Sequence, residues 1–174
     1  MRDLAHTSVP SWAFGADVMT SPDVAGTAHI LVGVGPDAAP VLDRWSEELT
    51  GELTRVEAPD PAMAAAQLRE ELAIARVGVR VRITGATGAC LALRGIATSA
   101  GVEDDELYVA PTGIGPIDLY CVHCGAVTST EACVDDVVPC AACAKQLVVY
   151  HHVSRRSGRF LGFQVDAEEA HDLP

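Results

Sequence analysis

The sequence predicts a chain of the α/β class: a Rossmann-like domain with a parallel sheet, followed by a small β-ribbon domain built round four cysteines. Three observations carry that expectation. Strand-like and helix-like segments alternate through the first two thirds of the 174 residues, the pattern that builds βαβ units. Cys121-x-x-Cys124 and Cys140-x-x-Cys143 are separated by fifteen residues, a spacing that brings two pairs of sulfurs to one ion. The composition is 49% hydrophobic but only 5% aromatic, which suits a core of small and branched side chains.

Each element follows from its local pattern. "HILVGVG" (29–35) is a short apolar run closing on glycine, as in a strand buried on both faces. Asp37 offers an N-cap to a helix in which Val41, Leu42, Trp45 and Leu49 share one stripe. "LTRVEA" (53–58) reads as a second strand. A second helix then opens on Asp60 as cap and Pro61 at its first position, with Ala65, Leu68 and Leu72 on one face. "GVRVRITG" (78–85) alternates and is β-branched, a third strand. The helix after it carries Ala89, Ala92, Leu93, Ile96 and Ala97 toward the core; Gly95 costs it about 1 kcal/mol against Ala. "DELYVAP" (105–111) is the fourth strand, and "TGIGP" a hinge. These segments divide the chain into an N-terminal arm (1–28), an α/β domain (29–116) and a ribbon with its tail (117–174). The arm has too little apolar periodicity for a core of its own and is expected to lie against a partner.

A formal net charge of −12 argues against nucleic acid, because phosphate neutralisation needs clustered Lys and Arg. No apolar run approaches the 18 residues of a membrane span, and the N-terminus has no secretory pattern. The expected place is the cytoplasm, where structural disulfides are improbable.

The turn after the first strand invites a nucleotide, since a helix N-terminus attracts phosphate. "VGPDAAP" and "VRITGATGACLALRGIATSAGVEDDELYV" resemble two segments of the pyridine-nucleotide half of ferredoxin reductases. That resemblance implies Gly33, Gly35 and Gly85 as nucleotide-contacting positions. Asp37 departs from it where the family turn has glycine, and a carboxylate there repels pyrophosphate; Ala86 departs where proline is usual. We therefore expect NAD(P) not to bind.

The cysteines point to metal. A C-x-x-C knuckle turns tightly enough for both sulfurs to reach one ion, and two knuckles complete a tetrahedron. Gly125 permits a turn with positive φ. "AVTST" (126–130) and "VDDVV" (134–138) are expected to pair as the intervening hairpin, with "KQLVVYHHV" and "GRFLGF" as further strands. The metal ligands are Cys121, Cys124, Cys140 and Cys143, in a rubredoxin-like zinc ribbon that needs its ion to fold. Zinc is favoured; mononuclear iron suits the same ligands. Cys90 and Cys133 read as buried spare thiols, and His123 as an exposed side chain of the first knuckle. His151 and His152 are adjacent, face opposite ways on a strand and cannot hold one ion together.

The order α/β domain, "YCVHCG", "PCAAC", "YHHVSRRSGRFLGF" resembles the small accessory subunit of bacterial dimethylamine monooxygenase. That resemblance implies oxidative demethylation with O2 and NAD(P)H by an assembly whose oxygenase and reductase subunits are this chain's partners. Arg155, Arg156, Phe160 and Phe163 of the tail are the expected partner contacts: two bidentate cations and two apolar anchors. No nucleophile–base pair or carboxylate dyad can be assembled from the sequence. A non-catalytic organising subunit is therefore the first expectation, with an iron-containing electron carrier and a nucleotide-binding regulator as alternatives.

Overall fold

The computed structural model describes residues 7–14 and 25–166. Strands β1 (Ala28–Val34), β2 (Glu52–Ala58), β3 (Val79–Ala86) and β4 (Leu107–Gly113) form one sheet in the order β2-β1-β3-β4. All three pairings are parallel. β1 is buried almost throughout and serves both faces. Ile30, Val32 and Val34 meet the core under helices α2 (Pro61–Ile74) and α3 (Thr87–Ser99). Leu31 meets Leu42 and Trp45 of helix α1 (Ala39–Glu48) on the other face. The expected doubly covered parallel sheet is present, and its strand order reverses between β1 and β3.

Asp60 caps α2 as expected, accepting from Ala62 N at 2.9 Å and Met63 N at 3.0 Å. Asp37 does not cap α1. The cap is Ala38, whose side chain has no group to bond, and Pro40, two positions on, has no N–H to donate. On the α1 face Arg82 is 1% exposed, with its guanidinium 5.9 Å from the Trp45 ring centroid and Nη1 3.7 Å from Glu48 Oε2. The indole and the carboxylate compensate a cation that burial alone would penalise.

The second sheet holds β5 (Ile117–Cys121), β6 (Val127–Thr130), β7 (Val137–Pro139), β8 (Gln146–Val153) and β9 (Phe160–Gln164), in the order β6-β5-β9-β8-β7. The expected hairpin between 126–130 and 134–138 does not form. Each knuckle instead closes its own antiparallel hairpin, β5 with β6 and β7 with β8. That sends β6 and β7 to opposite edges, with β9 between β5 and β8. "KQLVVYHHV" and "GRFLGF" supply the expected further strands, β8 and β9, which pair antiparallel.

Helix α3 is where the two sheets meet, and it does so through missing side chains. A Cβ at Gly88 would lie 1.8 Å from Pro116 O, and one at Gly95 would lie 2.8 Å from Arg156 O. From the ribbon side, a Cβ at Gly158 would lie 2.1 Å from Leu91 O. The glycine that weakens α3 is thus the one that lets the turn at 154–158 reach its backbone.

The N-terminal arm also finds a place on the chain itself. A 3-10 turn, Ser11–Phe14, follows Val9; Val9 and Ala13 are buried in the ribbon core, and Trp12 packs against both cores. Thr87 Oγ1 donates to Ala13 O (3.2 Å) and also lies 3.1 Å from Gly113 O. For residues 7–14 the expectation of an arm awaiting a partner is corrected: buried Val9 and Ala13 supply a local apolar contact that periodicity does not reveal. Of the rest of that arm, 25–28 lead into β1, and 1–6 and 15–24 lie outside the described residues.

Candidate metal centre

Both knuckles are built alike. After the first, Gly125 takes φ +77° and donates its N–H to Cys121 O at 2.9 Å, while Cys121 N–H donates to Ala126 O at 2.9 Å. After the second, Ala144 takes φ +58°, donates to Cys140 O at 3.0 Å, and Cys140 N–H donates to Lys145 O at 2.9 Å. The glycine was readable; its alanine counterpart was not, because an L-residue with positive φ carries no sequence mark. Thr128 was also missed: its Oγ1 accepts from Ala141 N at 3.0 Å and ties one hairpin to the other knuckle.

The four cysteines expected as ligands come together. All four Sγ atoms lie within 4.8 Å of one another, with Cys121–Cys143 at 3.9 Å and Cys124–Cys140 at 3.6 Å. A tetrahedron with metal–sulfur bonds of about 2.3 Å has sulfur–sulfur edges of about 3.8 Å. Cys121 and Cys140 are buried, Cys143 half-buried and Cys124 exposed. Backbone N–H groups of Cys143 and Ala142 hold the Cys140 thiol down at about 6. Ala126 N–H acts the same way on Cys124, but desolvation and hydrogen bonds to the other three sulfurs push it up to about 12. Such a cluster favours a cation that lets all four ionise together.

The two remaining cysteines differ. Cys90 is buried as expected, its Sγ 3.4 Å from Gly85 O, and burial pushes its thiol up to about 12. Cys133 is exposed, contrary to expectation; it sits in the loop between β6 and β7, where Asp136 Oδ2 holds its backbone N–H at 2.8 Å. His123 is exposed on the first knuckle. On β8, His151 stacks on Tyr150 with centroids 4.0 Å apart, while His152 Nδ1 lies 2.9 Å from Ser8 Oγ.

The tail residues face their own chain more than sequence reasoning allowed. Phe160 is 0% exposed inside the ribbon core and offers no surface anchor. Strand alternation places it inward beside Leu119, its register partner on β5. Arg155 Nη2 donates to Asp104 Oδ2 at 2.7 Å, and Arg94 Nη2 binds Oδ1 of the same carboxylate at 3.0 Å. Arg156 is exposed, and its carbonyl accepts from Ser99 Oγ at 3.3 Å. Phe163 is half-buried, edge-on to Tyr150 at 5.1 Å.

Of the nucleotide-associated glycines, Gly33 is a packing position, where a Cβ would meet Leu42 Cδ1 at 2.6 Å. Gly85 (φ +142°) packs on Val34 in the same sense, and Gly35 (φ +82°) is open. Gly35 and Asp37 line a cleft of about 450 Å³ at the carboxyl ends of β1 and β3, shared with Pro116 and Asp118. Among the described residues no helix is long and apolar enough to cross a membrane.

Fold and centre together define a four-cysteine ribbon carried on a Rossmann-like sheet. Residues 118–163 match the family described as "Dimethylamine monooxygenase subunit DmmA-like, C-terminal domain". The chain is 31% identical over 167 residues to the "Heme-dependent oxidative N-demethylase delta subunit" of Ectopseudomonas mendocina (strain ymp), covering 93% of this chain and 90% of that one. No solved structure matches the chain. The chain belongs to the family of oxidative N-demethylase delta subunits.

Proposed function

We propose that this chain is the metal-stapled accessory subunit of an oxidative N-demethylase acting on dimethylamine, and that it organises partner subunits rather than performing the chemistry. The observation that carries the metal part is the clustering of the Cys121, Cys124, Cys140 and Cys143 sulfurs within 4.8 Å of one another, two of the distances being 3.9 and 3.6 Å. Zinc suits it: four thiolates satisfy the ion's coordination and leave no open position, as in structural sites. The ion's contribution is to tie β5–β6 to β7–β8, which otherwise lie at opposite edges of one small sheet.

The heme named for the relative belongs, on this reading, to a partner. Three of the four described histidines are poorly placed for it. His29 lines a cleft of about 400 Å³ shared with Glu52, Glu71 and Arg76, charged groups that would meet the macrocycle. His123 projects from the knuckle, and His152 is engaged by Ser8. The oxygenase and reductase functions are accordingly assigned to other subunits.

One observation favours a second reading. Cys124 is exposed, so an iron in the same site would have a ligand at the surface, as an electron carrier between reductase and oxygenase requires. Elemental analysis with an absorption spectrum separates the two. About one equivalent of zinc in a colourless protein supports the structural role. An equivalent of iron, red when oxidised, establishes the carrier. Less than about half an equivalent of any transition metal sinks both. Cys121→Ser should abolish metal retention and unfold the ribbon, while Cys133→Ser should change neither.

A further inference from the structure

We propose that the outer face of the ribbon sheet docks this chain onto a partner subunit presenting apolar side chains ringed by Lys or Arg. The proposal deepens the reading of the chain as one subunit of a larger assembly and rests on it.

A sheet with one face in water alternates apolar inward and polar outward. The ribbon departs from that pattern. Ile117, Leu119, Leu147, Val149 and Phe160 fill its core. The residues between them face the other way and are also apolar. Tyr120 pairs with Leu161, and Phe163 with Val148, which pairs in turn with Val137. The Tyr150 ring joins this layer, edge-on to Phe163 at 5.1 Å. Val137 is 51% and Tyr150 40% exposed, and the other four are half-buried. Among the described residues, none of these six packs into a buried core. Strands that are apolar on both faces belong to a sheet covered on both.

The border of this face selects the occupant. Around it Glu131, Asp135, Asp136 and Asp166 outnumber Lys145, while Asp118 and Arg159, 3.9 Å apart, offset one another. Four thiolates round a divalent ion add a net charge of about −2 at the knuckle end. An aromatic, aliphatic centre inside a polar border is the anatomy of an interface. Its complement is an apolar centre with a basic border. Arg suits that border doubly, since a guanidinium also stacks on tyrosine rings. A second copy would set the same acidic border and the same negative centre against their own kind. The chain's last residues, 167–174, bring Glu168, Glu169 and Asp172 and meet the same repulsion.

The test is co-purification of full-length chain with the other demethylase subunits, using Tyr150→Glu, Val137→Glu and Glu131→Lys, each alone. Metal content and melting temperature are measured on the same samples. Glu70→Lys on α2 makes the same charge change at an exposed position elsewhere and is the control. We expect the two Glu variants to keep their metal and lose association by at least about tenfold, the effect of a carboxylate forced into an apolar contact. Glu131→Lys should weaken association at least about twofold relative to the control, and wild-type association should weaken as salt rises. Should a Glu variant shed its metal, Tyr150→Ser removes the ring without adding charge and must also weaken binding. Tyr150 and Val137 variants that retain metal and co-elute at wild-type stoichiometry overturn the face while leaving the subunit reading intact. Association indifferent both to salt and to Glu131→Lys overturns the basic border. Wild-type chain that fails to co-elute overturns the face and the subunit reading together. Self-association of the wild type that these variants abolish would assign the face to a second copy. Stronger association by a chain ending at Asp166 would assign it to the residues removed. Either result refutes the proposal.

Discussion

Replacing Gly95 by Ala should destabilise this protein, although the same change in an ordinary helix stabilises it. Gly95 is an interior position of α3, where Ala gains about 1 kcal/mol in propensity. The new Cβ, however, would lie 2.8 Å from Arg156 O and 3.0 Å from both Gly158 N and Ser157 C. All three are backbone atoms of a turn fixed by Gly158 N–H to Ser154 O (2.8 Å) and Ser154 N–H to Arg159 O (2.9 Å), so none can swing aside as a side chain would. Overpacking of a closed contact costs about 1–3 kcal/mol, and the backbone character of these neighbours places the cost at the upper end. The net expectation is a loss of about 1–2 kcal/mol, from the difference between the overpacking cost and the propensity gain. Equilibrium unfolding in urea of the metal-loaded protein measures it, with Gly113→Ala as control, since nothing lies within 4 Å of a Cβ there. A Gly95→Ala protein with a raised midpoint and unchanged slope would refute the claim that the ribbon turn rests on α3.

Four further outcomes follow from the structure. Ala144→Gly should stabilise the metal-loaded protein by about 1 kcal/mol, since Ala144 holds φ +58°, a left-handed conformation that costs an L-residue about 1–2 kcal/mol; the unfolding midpoint checks it. In intact protein at pH 8, iodoacetamide should label exposed Cys133 and leave buried Cys90 untouched, as read by peptide mass spectrometry. Burial raises the Cys90 thiol from 9.0 to about 12, so it favours the neutral folded form. Its contribution to stability is complete below pH 9 and is lost as pH rises toward 12, because only the unfolded chain ionises in that window; Cys90→Ser should flatten this alkaline limb. Calorimetric titration with NADH or NADPH should show no micromolar binding, because Asp37 lines the mouth of the cleft at the β1 turn and Gly33 is filled by Leu42.

The parts of the fold that were legible in the sequence are those written in local periodicity. β1, α2 and β3 announce themselves by an apolar run, an Asp60–Pro61 helix start and a β-branched alternation, and none depends on a distant partner. The four ligands were legible because two knuckles at that spacing have few other uses. What sequence could not supply was pairing. "AVTST" and "VDDVV" have strand chemistry, but whether they pair with each other depends on where each knuckle reverses the chain. Hydrogen bonds from Gly125 to Cys121 and from Ala144 to Cys140 settle that locally, in favour of two separate hairpins. Cys133 was read as buried because free cysteines usually are; its place in the β6–β7 loop follows from the same unforeseen topology.

The tail and the arm show a different kind of limit, and it bears on function. Arg155, Phe160 and the N-terminal arm look like interaction elements in the sequence, and in the structure Arg155, Phe160 and residues 7–14 are: the partner they meet is their own chain. Phe160 fills the ribbon core, Arg155 reaches Asp104 beside α3, and Ser8 contacts His152 while its Oγ accepts from Val153 N–H at 2.9 Å. Sequence chemistry records that a residue will be engaged, and only topology says by whom. Glycines 88, 95 and 158 give the sharper signal, because a contact that excludes even a methyl group fixes two backbones against each other. With α3 holding the ribbon where β5 and β9 start, the four-cysteine cluster lies at the end left over, and Cys121 and Cys140 share one buried cluster with Leu91 of that helix. The side chains that would hold an ion and the helix that carries the ribbon thus belong to one packed core.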